Sequence, residues 1–551
     1  MRKRPVALAA LALCACAVLQ RSQADVAAPP SVRPSVFNVR DFGAAGDGKA
    51  LDTDAINRAI SAAGAAGGGT VYFPAGTYAA FSIRLKSNIT LHLDQGAVLL
   101  AAGAPQAGRG GAQPPPNRPG VGRVPVPGSP AAGPQAFDAA EPNDVGGNYQ
   151  DFGHSHFHNS LIWGENLHDI CIAGPGMIDG NSLSRGSGPA NVGVGNKALA
   201  LKLCRNVTLR DFSFYRGGWF SILATGVDTF TIDNIKIDTN RDGMDIDSCK
   251  NVRISNCYVN APNDDGICLK SDFALGQARA CENITISNCQ VSGYAVGSLL
   301  DGTFDRSTVR APDRDGPTGR IKFGTESNGG FKNIAISNCV FDHCRGLAFE
   351  SVDGGPIEDI AVNNLTMRDI FNSPIFIRLG NRARGPANST PVAQIRRITI
   401  SNLSASGVNP EYPCLIAGLP DHPIEDVQIS NVRIAYRGGG TAQQAAVVPP
   451  ENPGGYPEPS MFGILPASAF YIRHVRNLEM HHVDATFDKP DARPPFVLSD
   501  VAGADFQHVY IPRFAGVPFF TLTKVTDFST QHVNTIADTA RDTVAQEAIS
   551  K

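Results

Sequence analysis

The chain has 551 residues, enough for several ordinary domains or one elongated repeat domain. Its formal net charge of −3 leaves neither nucleic acid nor an anionic membrane surface as an expected partner. Glycine (57) and proline (39) are plentiful against 2 tryptophans, the composition of a chain with many turns and short strands.

Met1 to Pro5 is basic, Val6 to Leu19 is apolar, and Ser22-Gln-Ala24 offers a small-x-small cleavage pattern. Residues 1–24 are therefore predicted to be a secretory signal peptide, too short to span a bilayer. Cys16, after Leu13-Cys-Ala15, is an alternative site for a lipid anchor. Either way the protein is expected to be exported, to a periplasm or to the exterior. Ten cysteines follow Ala24, and Cys257, Cys289 and Cys339 each come after Ser-Asn in a repeated phrase. Stacked buried thiols are expected there, and no disulfide pairing is assigned.

Residues 36–101 read as a cap. Val36-Phe-Asn-Val39 is a short strand, Asp41 to Gly48 is turn-rich, and Asp52 can cap a helix running to Ala63. Ala55, Ile56, Ala59, Ile60 and Ala63 form its apolar stripe, Gly67-Gly-Gly69 stops it, and Thr70 to Phe73 returns to strand. Residues 102–150, rich in Gly, Pro and Ala, are predicted to be a loose loop insertion.

From 151 to 530 one phrase recurs, as in Asn206-Val-Thr-Leu, Asn251-Val-Arg-Ile-Ser-Asn, Asn283-Ile-Thr-Ile-Ser-Asn and Asn333-Ile-Ala-Ile-Ser-Asn. Starts at 206, 228, 251 and 283 lie 22, 23 and 32 residues apart. A base period near 22 with insertions predicts an all-β fold, a right-handed single-stranded parallel β-helix with a helix-containing N-terminal cap. Propeller blades would repeat at about 40–45 residues. The repeated Asn suits the bends, where it can stack as a ladder. Insertions at 299–318 and 436–462 are expected to wall a groove, and 531–551 reads as a C-terminal tail.

Two acidic clusters stand out, Asp242-Gly-Met-Asp245-Ile-Asp247 and Asp264-Asp265. Asp242 and Asp264 are 22 residues apart, which puts them on neighbouring coils about 4.8 Å apart along the stack. Carboxylates that close are costly unless one holds a proton, the condition that acid–base chemistry exploits. A single Asp here would read as a turn residue. Recurrence at one-coil spacing, and a bend at Pro262 and Gly266 that can turn both acids to one side, favour a site instead.

At these residues the chain resembles glycoside hydrolase family 28, the polygalacturonases and rhamnogalacturonases. That family's pattern is Asn-Thr-Asp-Gly, then Ser-Cys-x-Asn-Val, then Gly-Asp-Asp-Cys-Ile. Here it reads Asn240-Arg-Asp-Gly243, Ser248-Cys-Lys-Asn-Val252 and Asn263-Asp-Asp-Gly-Ile-Cys268, and the likeness extends over most of 36–530. The resemblance implies Asp264 as general acid, with Asp242 and Asp265 activating the attacking water in an inverting mechanism. Such a mechanism wants acid and base about 6.5–9.5 Å apart. Two departures stand beside it. The family's Gly-His-Gly precedes its Gly-Ser-Glu strand, whereas Pro317-Thr-Gly319 precedes Phe323-Gly-Thr-Glu326 and holds no histidine. The family's Arg-Ile-Lys position, one coil later, reads Gly346-Leu-Ala-Phe-Glu350, while a literal Arg320-Ile-Lys322 lies beside the Gly-Thr-Glu strand. Glu350 would repel a uronate at the leaving-group side, so a neutral sugar such as rhamnose is expected there.

Asn240, Lys270, Lys322, Glu326, Glu350 and Arg378 are the candidate substrate-binding residues, with Arg382 a further polar candidate. His154, His156 and His158 are expected to line the groove rather than hold a metal. The expected activity is hydrolysis of a pectic polysaccharide or oligosaccharide by a monomer that needs no metal or cofactor. Two alternatives are a lyase with a Ca²⁺ site at Asp242, Asp245 and Asp247, and a non-catalytic glycan-binding β-helix.

Overall fold

The computed structural model describes residues 36–103, 136–184, 193–307, 317–387, 390–534 and 536–550. The signal peptide, Cys16 and most of the predicted loop insertion lie outside the described residues. The cap forms as the sequence predicts. Helix α1 (Thr53–Ala65) buries Ala55, Ile56, Ala59, Ile60 and Ala63 against the first rung. Asp52 plays a different part from the expected one. Its carboxylate makes no bond to the helix end and instead accepts the backbone N–H groups of Ala45 (2.6 Å) and Gly46 (3.0 Å), tying the turn-rich segment to the helix. At Gly68, with φ +138°, a Cβ would lie 2.6 Å from the Asn88 carbonyl, so only glycine lets the chain leave the helix this closely.

Behind the cap the chain winds into parallel coils with three faces. On the face that carries the acidic clusters the rungs are β1 (Phe220–Thr225), β2 (Asp242–Asp247), β3 (Ile267–Ser271), β4 (Ile321–Ser327), β5 (Leu347–Ser351) and β6 (Ile375–Leu379), each paired in parallel with the next. Phe220 pairs with Asp242, the predicted period of 22, and the second and third faces keep that register. Alternate residues such as Val252, Ile254, Ile284 and Ile286 are buried in one continuous core.

The repeated phrase acquires a physical reason at the corners. Asn251 and Asn283 (φ +56° and +59°), and Asn256 and Asn288 (φ +57° and +55°), turn the chain in the left-handed region. Asparagine enters that region more readily than most residues. Along these corners amides also donate to the Asn one coil earlier, as Asn283 does to Asn251 (3.1 Å) and Asn333 to Asn283 (2.8 Å), while Asn256 donates to Asp233 (2.8 Å). Ten described cysteines are free thiols, nine of them buried, as expected.

Two expectations need correction. The predicted tail contains a strand, Thr539–Ile549, that runs antiparallel along Phe520–Gln531 and covers the last rung. The described end of the 102–150 insertion is also not loose. Asp138 accepts from Arg84 and from the Trp163 indole (2.8 Å), and the Asn143 amide donates to the carbonyls of Ser155 and Ala274 (both 2.9 Å). No helix among the described residues is long and apolar enough to cross a membrane.

Candidate active site

The site is built where β2 begins and where the bend before β3 passes it one coil later. Asp242 opens β2, and Gly243 lies so close to the next coil that a Cβ would sit 2.4 Å from the Gly266 carbonyl. That contact explains the glycine of the Asn-x-Asp-Gly pattern. Asn263 donates its backbone N–H (3.1 Å) and side-chain amide (2.5 Å) to Asn240, and Gly243 donates to the Asp265 carbonyl (3.0 Å). These bonds place Asp264 and Asp265 over Asp242. One carboxylate oxygen of each lies within 4.8 Å of the others. The three acids expected to meet do meet. Their nearest oxygens are closer than the 6.5–9.5 Å expected of a simple acid–base pair.

The electrostatics divide the trio. Asp265 Oδ1 accepts from Arg320 Nε (2.9 Å), and Lys322 Nζ lies 3.3 Å from its Oδ2. Asp264 is ion-paired with Arg241. Burial, together with repulsion from Asp264 and Asp245, holds the Asp242 carboxyl well above the usual carboxylate range. The same burial, offset in part by Lys270, holds the neighbouring Asp245 carboxyl above the usual range as well. The same three oxygens could share one cation, although Arg241, Arg320 and Lys322 already offset much of their charge.

Next to the trio lies a second buried charge cluster. Lys270 Nζ is 2.9 Å from Glu326 and 3.8 Å from Asp245, and Glu326 also pairs with Arg384 (3.0 Å) and Arg382 (3.5 Å). Burial opposes the Lys270 charge, yet Asp245 and Glu326 raise its pKa well above the ordinary lysine value. His154 Nε2 sits 3.2 Å from Asp245, and burial foremost, with the Lys270 charge, lowers the imidazole pKa below its ordinary value. Lys270 and Glu326 thus border the trio as a matched pair. The proposed Ca²⁺ ligands do not converge, because Asp245 faces Lys270 and His154 while Asp247 accepts the backbone N–H of Asp272 (2.9 Å).

Three substrate-binding expectations are overturned by burial. Glu350 is 0% exposed and pairs with Lys322 (3.3 Å) and Arg320 (3.6 Å), so it cannot meet a leaving-group sugar. Lys322 is itself buried between Asp265 and Glu350, where it positions a carboxylate. Arg378 is buried too, donating to the carbonyls of Gly418 (3.0 Å), Glu451 (2.7 Å) and Asn452 (3.3 Å), which braces the 436–462 insertion. Asn240 is half-buried and locks two coils through Asn263.

Two contributors come from that insertion. Glu458 accepts from Arg320 Nη2 (2.5 Å) and pairs with Arg345 (3.0 Å), and the ring of Tyr456, 47% exposed, lies 5.5 Å from Lys322 Nζ. Neither is visible from spacing, since Glu458 is 138 residues from Arg320. Arg241 was in plain view inside the motif, at the position where the family has Thr.

Burial foremost, and repulsion from Glu458 and Asp265, pushes the Glu350 pKa up to about 7 against the attraction of Lys322 and Arg320. A raised acid favours folding fully below its unfolded value near 4.5, and that contribution is lost as pH rises through about 7. Glu350→Gln should therefore show a flatter denaturant-midpoint profile between those values, by up to about 3 kcal/mol. Parallel profiles for the two proteins would contradict this assignment.

Comparison with known proteins bears on the fold and the family. Residues 146–311 match the right-handed β-helix region family, and residues 36–107 match a family described as rhamnogalacturonase A/epimerase, pectate lyase-like. A probable polygalacturonase from Vitis vinifera is 26% identical over 421 residues, covering 73% of this chain and 75% of that one. The chain resembles the family 28 polygalacturonases. The structure of the family 28 exopolygalacturonase of Yersinia enterocolitica superposes with a TM-score of 0.59 at 19% identity, over 87% of this chain and 78% of that one, which establishes the right-handed β-helix fold. Mannuronan C5-epimerase AlgE1 of Azotobacter vinelandii is 67% identical over only 45 residues, 8% of this chain and 3% of its own. A shared stretch that short carries no activity across.

Proposed function

We propose that this protein is a glycoside hydrolase that cleaves a galacturonate-containing pectic glycan by inverting acid–base hydrolysis. The observation that carries the reading is the trio Asp242, Asp264 and Asp265, gathered within 4.8 Å on adjacent coils in a chain resembling the polygalacturonases. Asp264 protonates the departing glycosidic oxygen as the anomeric C–O bond breaks. Asp265, held ionised by Arg320 and Lys322, takes the proton of the attacking water, with Asp242 holding the same water. A water held jointly by two acids explains how the trio is more compact than a simple acid–base pair. The half-exposed Tyr456 ring offers a flat face for a sugar. Export, read from residues 1–24, is part of this proposal.

The first product should carry inverted anomeric configuration, and chelator should leave the rate unchanged. Proton NMR during the first minutes of turnover reads the configuration directly. Initial retention would replace the water mechanism by a covalent one, and loss of activity with chelator would favour a metal-dependent lyase, whose unsaturated product absorbs in the ultraviolet.

For the linkage, the match of 36–107 to the rhamnogalacturonase A/epimerase family supports a rhamnogalacturonan-type substrate. The buried Glu350 withdraws the charge argument against a uronate leaving group. Comparing kcat/KM on homogalacturonan and rhamnogalacturonan oligosaccharides decides between them. Faster cleavage of homogalacturonan would overturn the rhamnogalacturonan preference.

A further inference from the structure

We propose that the edge of the coil opposite the acidic face carries a second glycan-binding site, a trough that takes an extended, uronate-containing strand lying along the stack. This edge runs between the second and third faces and does not border the face of the acidic trio. The inference concerns binding alone and is independent of the hydrolase reading.

The trough has a volume of about 570 Å³ and is lined by two rows of side chains. One row is the corner itself, Asn364, Asn402, Asn431, His482 and His508. The other is the register row Ser404, Arg433 and Asp484, which Tyr510 continues one coil further on. Three observations converge there. First, the corner changes residue type. Asn402 and Asn431 turn at φ +55° and +53°, and His482, His508 and His532 turn at φ +54°, +53° and +55° in the same place. The left-handed corner accepts asparagine and histidine alike, so the backbone does not require the change. The Asn431 amide bonds the previous corner at Asn402 (3.1 Å), whereas the three exposed imidazoles stack with ring centroids 4.7 and 4.9 Å apart. Second, Tyr510 is 66% exposed, more than any other described phenylalanine, tyrosine or tryptophan. Third, the trough escapes the negative charge that the chain carries overall, a formal −3. Asp484 is the one acid among the lining residues, and Arg433, its side chain 76% exposed, pairs with it at 3.3 Å.

Together these groups match an anionic glycan. The imidazole stack and the Tyr510 ring offer flat faces on which sugar rings can lie. The Asn402 and Asn431 amides and the Ser404 hydroxyl can bond sugar hydroxyls. A guanidinium matches a uronate carboxylate with two parallel N–H···O bonds, and an exposed ion pair such as Arg433–Asp484 is weak enough to yield to it. Because the coils repeat about every 4.8 Å, a polymer lying along the stack meets a comparable set of groups at each rung. Contacts that are weak singly then add along its length.

The test follows the imidazoles by NMR in ring-labelled, full-length protein carrying Asp264→Asn, which spares the polymer. His482→Asn and His508→Asn assign the two signals by their loss, and each returns the corner to the ladder residue, so both variants should fold. Polygalacturonate fragments should shift the His482 and His508 signals, while neutral galactan fragments of the same length should not. The dissociation constant read from those shifts belongs to the trough and not to the acidic face. It should rise about tenfold or more in Arg433→Gln, the loss of a hydrogen bond to a charged group, with the thermal midpoint unchanged. Ring signals that polygalacturonate does not move overturn the site. Equal shifts with galactan, or an unchanged constant in Arg433→Gln, overturn the assignment to a uronate glycan. A protein that hydrolyses no glycan would sink the hydrolase reading and leave this result standing.

Discussion

Asp264→Asn should fold normally, bind a galacturonate oligosaccharide about as tightly as the wild type, and turn it over roughly a hundredfold to ten-thousandfold more slowly, the usual cost of removing general acid assistance. The substitution is nearly isosteric and leaves the backbone bonds of the bend in place, namely Asp264 N–H to the Ala261 carbonyl and Gly319 N–H to the Asp264 carbonyl. Binding by calorimetry, beside reducing-sugar release, separates lost chemistry from lost structure. More than about a tenth of wild-type activity in the purified variant would mean that another group delivers the proton. Asp242, whose carboxyl is raised by burial and by its acidic neighbours, would be the first to examine.

The second large effect concerns stability. Arg320 sits at the centre of three buried carboxylates, bonding Asp265 and Glu458 and lying 3.6 Å from Glu350. Removing one partner from a buried charge network typically costs about 3–5 kcal/mol, because the charges left behind lose their compensation. Arg320→Met should lower the denaturant midpoint at neutral pH by that order. The loss should shrink in mildly acidic buffer, where the stranded carboxylates can take up protons. An unchanged midpoint at neutral pH, or a loss that grows on acidification, would show that the network does not depend on Arg320.

Much of the scaffold was legible because the physics is local. A 22-residue period fixes which residues stack, and Asn at the corners follows from its tolerance of positive φ and its ability to bond its own kind. The helix stripe was legible for the same reason, since its periodicity needs no partner to be recognised. The acidic trio follows from stacking alone. What escaped is the direction and covering of long side chains. Glu350 was placed at the leaving-group side by its alignment with the family's Arg-Ile-Lys position, yet it is buried against Lys322 and Arg320, and Glu458 and Tyr456 arrive from a remote insertion to cover that ground. Arg378 was misread likewise, because the carbonyls it donates to belong to Gly418 and to 451–452. The tail was misjudged because an antiparallel closing strand breaks the repeat on which the reading of the coils depended.

That closing strand, Thr539–Ile549, bears on colloidal behaviour. A stack of parallel rungs ends in a row of unpaired backbone groups, a template on which another chain can add rungs end to end. Here the template is occupied by a strand of the opposite direction, whose sequence carries Arg541, Asp542 and Glu547, and α1 covers the other end of the stack. Each end of the coil therefore terminates in an element that does not continue its pattern, which discourages growth into a fibre although every rung between them could, by its geometry, accept another.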